Sequence, residues 1–361
     1  MSVSILAFEK LALALQSDRD TINTTPDRLI NASGTITPQA PTANSPISDG
    51  TLAERSRSQA RASIPRRWCE WEVSGELDVN DMIYWASMGL QSGVTPSTPG
   101  GATNSRLWTF TRTMSANSLD VATMWGGDPN WHMMRAEMCF LSEMTVEADG
   151  SGTNNVSFNA PGQGKFPIAS GQVEGATKAN PAVITSTAHG LENGDFVTFY
   201  NVAGMTELNG NSYEVANVTA NTFELDSTDS TSYGVLTVDD EAYWVLDPPS
   251  FPAQDLGDVI SPLDIQVWID STDTIGSTAV TGKVVRVSHT IPTGLTPKFI
   301  PSGPGGGRTI SRVDPGKVSP SMSLAMEVSP AHYNLFSAGR LTKVRVRYNG
   351  PIIEGSLYYY V

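Results

Sequence analysis

Glu70-Trp71-Glu72-Val73-Ser74-Gly75-Glu76-Leu77-Asp78-Val79-Asn80-Asp81, followed by Met82-Ile83-Tyr84-Trp85-Ala86-Ser87-Met88 and Gly89, reads as an alternating strand, a helix cap, two helical turns and a stop. Asn80 offers a side-chain acceptor to exposed helix N–H groups, and Gly89 the left-handed residue that ends such a helix. A second copy follows about 250 residues later. Ser321-Met322-Ser323-Leu324-Ala325-Met326-Glu327-Val328 is its strand, Ser329 its cap and Pro330 its first helical residue, where a missing N–H costs nothing. Ala331 to Ala338 then continue the helix to Gly339. The doubling predicts two related β units that build a pseudo-symmetric assembly.

The rest of the chain fits a mainly β fold with short helices. At 361 residues it is long enough for two or three domains, each with a core. Its 32 Gly and 23 Pro favour short strands and many turns. Four regions follow from changes in texture: an N-terminal helix and extended arm over 1–65, a first unit over 66–170, a small all-β insertion over 171–236 and a second unit over 237–361. Ile5, Phe8, Leu11, Ala12 and Leu15 share a helical face, which predicts a short amphipathic helix there. Arg55, Arg57, Arg61, Arg66 and Arg67 suggest an arm that docks on an acidic neighbour. Leu107 to Arg112 and Leu119 to Trp125 read as strands. Met133 to Glu147 reads as one long strand, with Ala136, Met138, Phe140, Met144, Val146 and Ala148 on one face and Glu137, Glu143, Thr145, Glu147 and Asp149 on the other, the pattern broken once each at Leu141 and Ser142.

The formal net charge of −14 argues against a protein that grips nucleic acid through its phosphates. Two cysteines, Cys69 and Cys139, allow one disulfide but no stapled scaffold. No apolar run reaches membrane-spanning length, so the expectation is a protein made in the cytoplasm with no membrane partner. The four histidines are isolated, the glycine-rich Ser302 to Arg308 lacks the lysine and hydroxyl of a phosphate loop, and no cofactor or metal site is expected. The sequence predicts no enzyme; a glycosidase-type carboxylate pair is the only catalytic alternative.

Gly75 to Asp78, Gly89-Leu90, Leu107-Trp108-Thr109-Phe110-Thr111, Glu137 to Glu147 and Asn159-Ala160-Pro161-Gly162 together resemble the tail tube (major tail) proteins of long-tailed bacteriophages. That resemblance implies two tandem tail-tube-type β-sandwich or barrel units. They would assemble as homotrimeric, pseudo-hexameric rings stacked into a virion tube, with terminator, tape-measure and tail-tip proteins as partners and DNA passing through an acidic lumen. Glu137, Glu143, Glu147, Asp264 and Asp270 are the expected lumen carboxylates, and Lys343, Arg345 and Arg347 the expected basic contacts between subunits. A tail-tip hub or decoration protein is the alternative role. A second resemblance rests on Asn180 to Thr185, His189-Gly190-Leu191, Gly194 to Val197, Tyr213 to Val215 and Phe223 to Leu225. These residues resemble a small β module of ubiquitin-activating enzymes, and the resemblance implies a surface-displayed insertion without ubiquitin chemistry, since the module holds no cysteine.

Overall fold

The computed structural model describes residues 10–16, 22–39, 43–45, 61–63, 68–100, 102–112, 119–128, 132–150, 155–165, 170–239, 241–255, 257, 259–270, 276–277, 279–280, 284–299, 310, 312–327, 330–337, 343–354 and 357–361. They form a mainly β protein with two α-helices, Val79–Gly89 and Pro330–Ser337. The largest sheet has ten strands. Its order runs Arg28–Leu29, Lys10–Gln16, Val121–Asp128, His132–Leu141, Ser157–Lys165, Glu143–Asp149, Val284–Pro292 and Ser321–Met326. Trp68–Glu76 pairs with Ser157–Lys165 on one side and with Ser33–Gln39 on the other. The path is open among the described residues. Strands of 66–170 and 237–361 meet at one seam among the described residues, where Val284–Pro292 lies antiparallel to Glu143–Asp149.

The Trp68–Glu76 strand anchors the main core. Cys69, Trp71 and Val73 point inward while Glu70 and Glu72 stay exposed, the alternation expected of a sheet with one dry face. Trp71 lies over its cross-strand partner Gly162, so close that a Cβ at 162 would sit 2.1 Å from the indole. The indoles of Trp71 and Trp85 are 6.0 Å apart, and Trp85 meets Phe158 at 5.7 Å, which stitches the helix onto the sheet.

The helix start differs from expectation by two residues. Asp78, not Asn80, is the N-cap, and its carboxylate accepts from the N–H groups of Asn80 and Asp81. Gly89 is the last helical residue and Leu90 continues at φ −119°. Close packing explains that glycine instead, since a Cβ there would lie 2.9 Å from Leu141. Arg28 clamps the cap from outside: Nε lies 2.7 Å from Asp81, and a terminal nitrogen lies 2.6 Å from Asp255. In the second copy the order of strand then helix is present, but Ser321–Met326 is an exposed outer strand that, among the described residues, pairs only with Val284–Pro292. Ser329, Gly339, Arg55, Arg57, Arg66 and Arg67 lie outside the described residues.

The N-terminal run is a strand and not a helix over its described part. Lys10–Gln16 pairs with Val121–Asp128 along its full length, and Leu11 to Ala14 are buried on both faces. A continuous apolar run fits a doubly buried strand as well as a helix face, so periodicity could not separate them. Leu107 to Arg112 is no strand; only an isolated bridge joins Ser97 to Leu107.

The long strand over 133–147 is two strands, His132–Leu141 and Glu143–Asp149, and its faces slip. Ala122 pairs with Cys139 and Met124 with Ala136, so one extra residue is accommodated next to Met138, which has φ 49°. A bulge of this kind exchanges the two faces of all that follows. Ala136, Cys139 and Leu141 therefore share the main core, whereas Met138 and Phe140 pack with Val121, Ile310 and Val313. The break at Ser142 restores Met144, Val146 and Ala148 to the main core.

A second core belongs to a seven-stranded sheet spanning Ser170–Gln172 to Tyr243–Leu246. It is built on Val197, Phe199, Phe223, Leu225 and Trp244. Here too an indole covers a cross-strand glycine, Trp244 over Gly171.

Gly162→Ala is expected to lower stability by at least about 1–3 kcal/mol, because the methyl has backbone as well as indole in its way. A urea unfolding midpoint equal to that of the unaltered chain would contradict the packing described for Trp71.

Candidate functional site

The seven-stranded module meets the large sheet at one buried ionic junction. Arg135 and Glu137 project from the same side of the His132–Leu141 strand, away from Ala136 and the main core. In the module, Gly194 turns the chain at φ 88° and brings Asp195 against them. Arg135 pairs with Asp195 through one guanidinium nitrogen and with Glu137 at 2.8 Å through the other. Lys165 reaches the second Glu137 oxygen at 3.2 Å. Asp195 also accepts from the Glu192 N–H at 2.9 Å, which fixes the turn that carries it.

All three junction residues are buried, with Arg135 at 5%, Glu137 at 0% and Asp195 at 4% exposure. Burial opposes the charge on Arg135, but Glu137 and Asp195 more than offset it and hold the guanidinium above its usual range. Burial raises the Glu192 carboxyl, and the nearby Glu137 adds to that shift. The cluster is consequently a structural fastening between two sheets and not an exposed reactive group.

The expected lumen carboxylates do not form a set. Glu137 is overturned as a lumen residue, because the module covers it and two cations hold it. Asp270 is overturned too: it is 3% exposed and accepts from the Gly276 and Ser277 N–H groups, closing a loop. Asp264 is exposed in a short 3-10 turn. Glu143 and Glu147 do share the outward face of their strand. Glu147 lines an open groove of about 850 Å³ with Glu72, Glu76, Asn155 and Asn159, and it pairs with Arg286. Lys343, Arg345 and Arg347 alternate along the Lys343–Glu354 strand, with Arg345 over the Trp268 ring at 5.2 Å.

The two cysteines are free and buried, their sulfurs both close to Gly164, and burial followed by the neighbouring Cys69 pushes the Cys139 thiol well up. Among the described residues no group of three or more His, Cys, Asp or Glu could hold a metal ion, and no helix is long and apolar enough to cross a membrane.

The outward side of the module was not singled out by sequence reasoning. Val197 and Phe199 fill its core, which leaves Phe196, Thr198 and Tyr200 on the solvent side. Tyr200 pairs in register with Tyr243, and their rings stack 5.4 Å apart at 22°. The period-two spacing of Phe196, Thr198 and Tyr200 carried the signal, but two aromatics on a strand also fit a buried face.

Residues 179–235 match the family model described as ubiquitin-activating enzyme E1 FCCH domain. Over 51 residues the chain is 51% identical to ubiquitin-like modifier-activating enzyme 1 of rabbit (Oryctolagus cuniculus) and of human (Homo sapiens). The match covers 13% of this chain and only 5% of each relative, so the likeness belongs to the module. It bears out the resemblance seen in Asn180 to Leu225. It also overturns the tail-tube reading, because the relatives found are cellular ubiquitin-activating enzymes. With that reading go the trimeric stacked rings, the terminator, tape-measure and tail-tip partners, the DNA-conducting lumen, the hub or decoration role and the virion location. The motif behind it, strand plus capped helix, is common to many β proteins, and its two copies pack differently here.

Two outcomes test the junction. Arg135→Met leaves Glu137 and Asp195 buried without their shared cation and is expected to cost about 3–5 kcal/mol in chemical denaturation, while Arg135→Met combined with Glu137→Met and Asp195→Asn recovers most of it. An equal loss in the triple variant would assign the effect to packing.

The second concerns His189, which is buried in the module and accepts from the Leu191 N–H at 3.1 Å. Burial lowers its pKa below the ordinary 6.5. Folding thus favours the neutral ring, so its contribution is complete above that value and is lost as pH falls below it. Unfolding midpoints measured at descending pH should fall below about pH 6.5 and fall less in His189→Gln. Identical profiles would remove His189 from the pH response.

Proposed function

We propose that this chain is a non-catalytic protein-recognition scaffold, in which the large β platform holds an E1 FCCH-type module rigidly and presents it to a protein partner. The observation that carries the reading is the buried Arg135–Glu137–Asp195 junction. Such a junction spends a large desolvation cost on fixing geometry, which suits a module whose orientation matters. The module's solvent side is left open, with Phe196, Tyr200 and Tyr243 each about two-fifths exposed or more. Presentation on a fixed support reduces the ordering cost of binding.

The absence of thiol chemistry from the module supports the non-catalytic part. Its matched stretch contains no cysteine, and Cys69 and Cys139 lie buried in the platform with a raised thiol at Cys139. The relatives' name describes enzymes that activate ubiquitin-like modifiers, so those modifiers are the natural substrates to try. With ATP, magnesium and a ubiquitin-like modifier the purified chain is expected to release no pyrophosphate and form no thioester. A photo-crosslinking amino acid at Val235 or Val238, both exposed on the module, is expected to give a protein adduct that saturates and is competed by unlabelled chain. Turnover would refute the non-catalytic reading, and adducts that never saturate would refute recognition.

A further inference from the structure

Charge is distributed very unevenly along this chain. Residues 179 to 247 contain eleven Asp and Glu and not one Lys or Arg. Asp195 is neutralised by Arg135 of the platform. Within 179–247 there is no Lys or Arg with which to pair the others, and Lys178 at its edge is the module's one basic side chain.

Two of these carboxylates, Glu214 and Asp247, lie beside the aromatic rings of the open face. Phe196, Thr198 and Tyr200 point outward along one strand, with Tyr243 beside Tyr200. Glu214 is exposed and lies opposite Phe196 on the adjacent strand. Asp247 follows on the other side and is held by hydrogen bonds from the Thr198 and Ser212 hydroxyls. Stacked phenol rings beside carboxylates of fixed position match one chemical group well. A guanidinium is planar and weakly hydrated; it stacks on aromatic faces while its N–H fork donates to a carboxylate. The chain makes such a contact internally, with Arg345 over Trp268.

We propose that the Phe196–Tyr200–Tyr243 face of the module is a docking surface for a basic, arginine-bearing protein segment. The inference rests on the recognition role above and names the chemistry of the partner. Charge complementarity selects the occupant: a polyanion is repelled by this face, and an acidic protein equally so. Arginine is favoured over lysine because an ammonium lacks the planar fork.

The test uses the full chain and a short fluorescent Arg-Gly repeat peptide, with Lys-Gly and Ser-Gly repeats as comparators, in anisotropy titrations at low and physiological salt. The Arg-Gly peptide is expected to bind saturably and more tightly than the Lys-Gly peptide. Tyr200→Ser with Tyr243→Ser, at exposed positions and with the charge unchanged, should weaken it about tenfold. Asp247→Asn should weaken it and flatten the salt dependence. Equal affinity in the double tyrosine variant would reduce the interaction to diffuse attraction and overturn the proposal. So would no binding of the Arg-Gly peptide, or tyrosine-dependent binding of neutral oligosaccharides in its place. If the crosslinked partner is still captured by the double tyrosine variant, this face is wrong and the recognition role stands; if no partner saturates at all, the role itself fails.

Discussion

A guanidinium taken out of water has to be met by carboxylates, and the placement of Arg135 makes that demand on two sheets at once. Glu137 comes from its own strand, Asp195 from a module turn some sixty residues later, and Lys165 balances the extra negative charge. Misplacing the module would separate Arg135 from Asp195, so electrostatics helps to specify the relative position of the two sheets. The fastening takes Asp195, and the very next residue, Phe196, turns to the solvent side with Thr198 and Tyr200.

Each sheet then secures its own core by a simple local device, an indole laid over a cross-strand glycine. Trp71 over Gly162 and Trp244 over Gly171 are equivalent in kind although the cores are separate. The glycine in each case makes room for the largest side chain where a β-carbon would exclude it. Trp85 extends the first of these into the helix, and Arg28 ties that helix to the N-terminal segment and to Asp255.

What the sequence revealed depended on how local the cause was. The alternation over Glu143–Asp149 was legible because one wet and one dry face leave a period of two, and its faces are as read although the single strand over 133–147 is two. The module was legible from the run between Asn180 and Leu225. Glu137 was not, because its burial is imposed by the module, and nothing near it in sequence announces that cover. The face exchange at Met138 was hidden as well; a single bulged residue between apolar neighbours keeps the composition of a regular strand. The helix cap was misread by two residues because Asp78 and Asn80 are both competent acceptors and only backbone geometry distinguishes them. The stacked Tyr200 and Tyr243 come from strands joined across more than forty residues, a pairing that one strand's pattern does not contain.

The one-sided charge of the module has a consequence for how the protein is digested. The stretch without Lys or Arg extends past the module, from 179 to 282. Trypsin therefore finds no bond to cut between Lys178 and Lys283, folded or unfolded, and the module from Ala179 onward, with its return strand, leaves the chain as a single large acidic fragment. Amine-directed labels are blind to the same stretch, so a dye placed through lysine reports on the module from Lys178 alone.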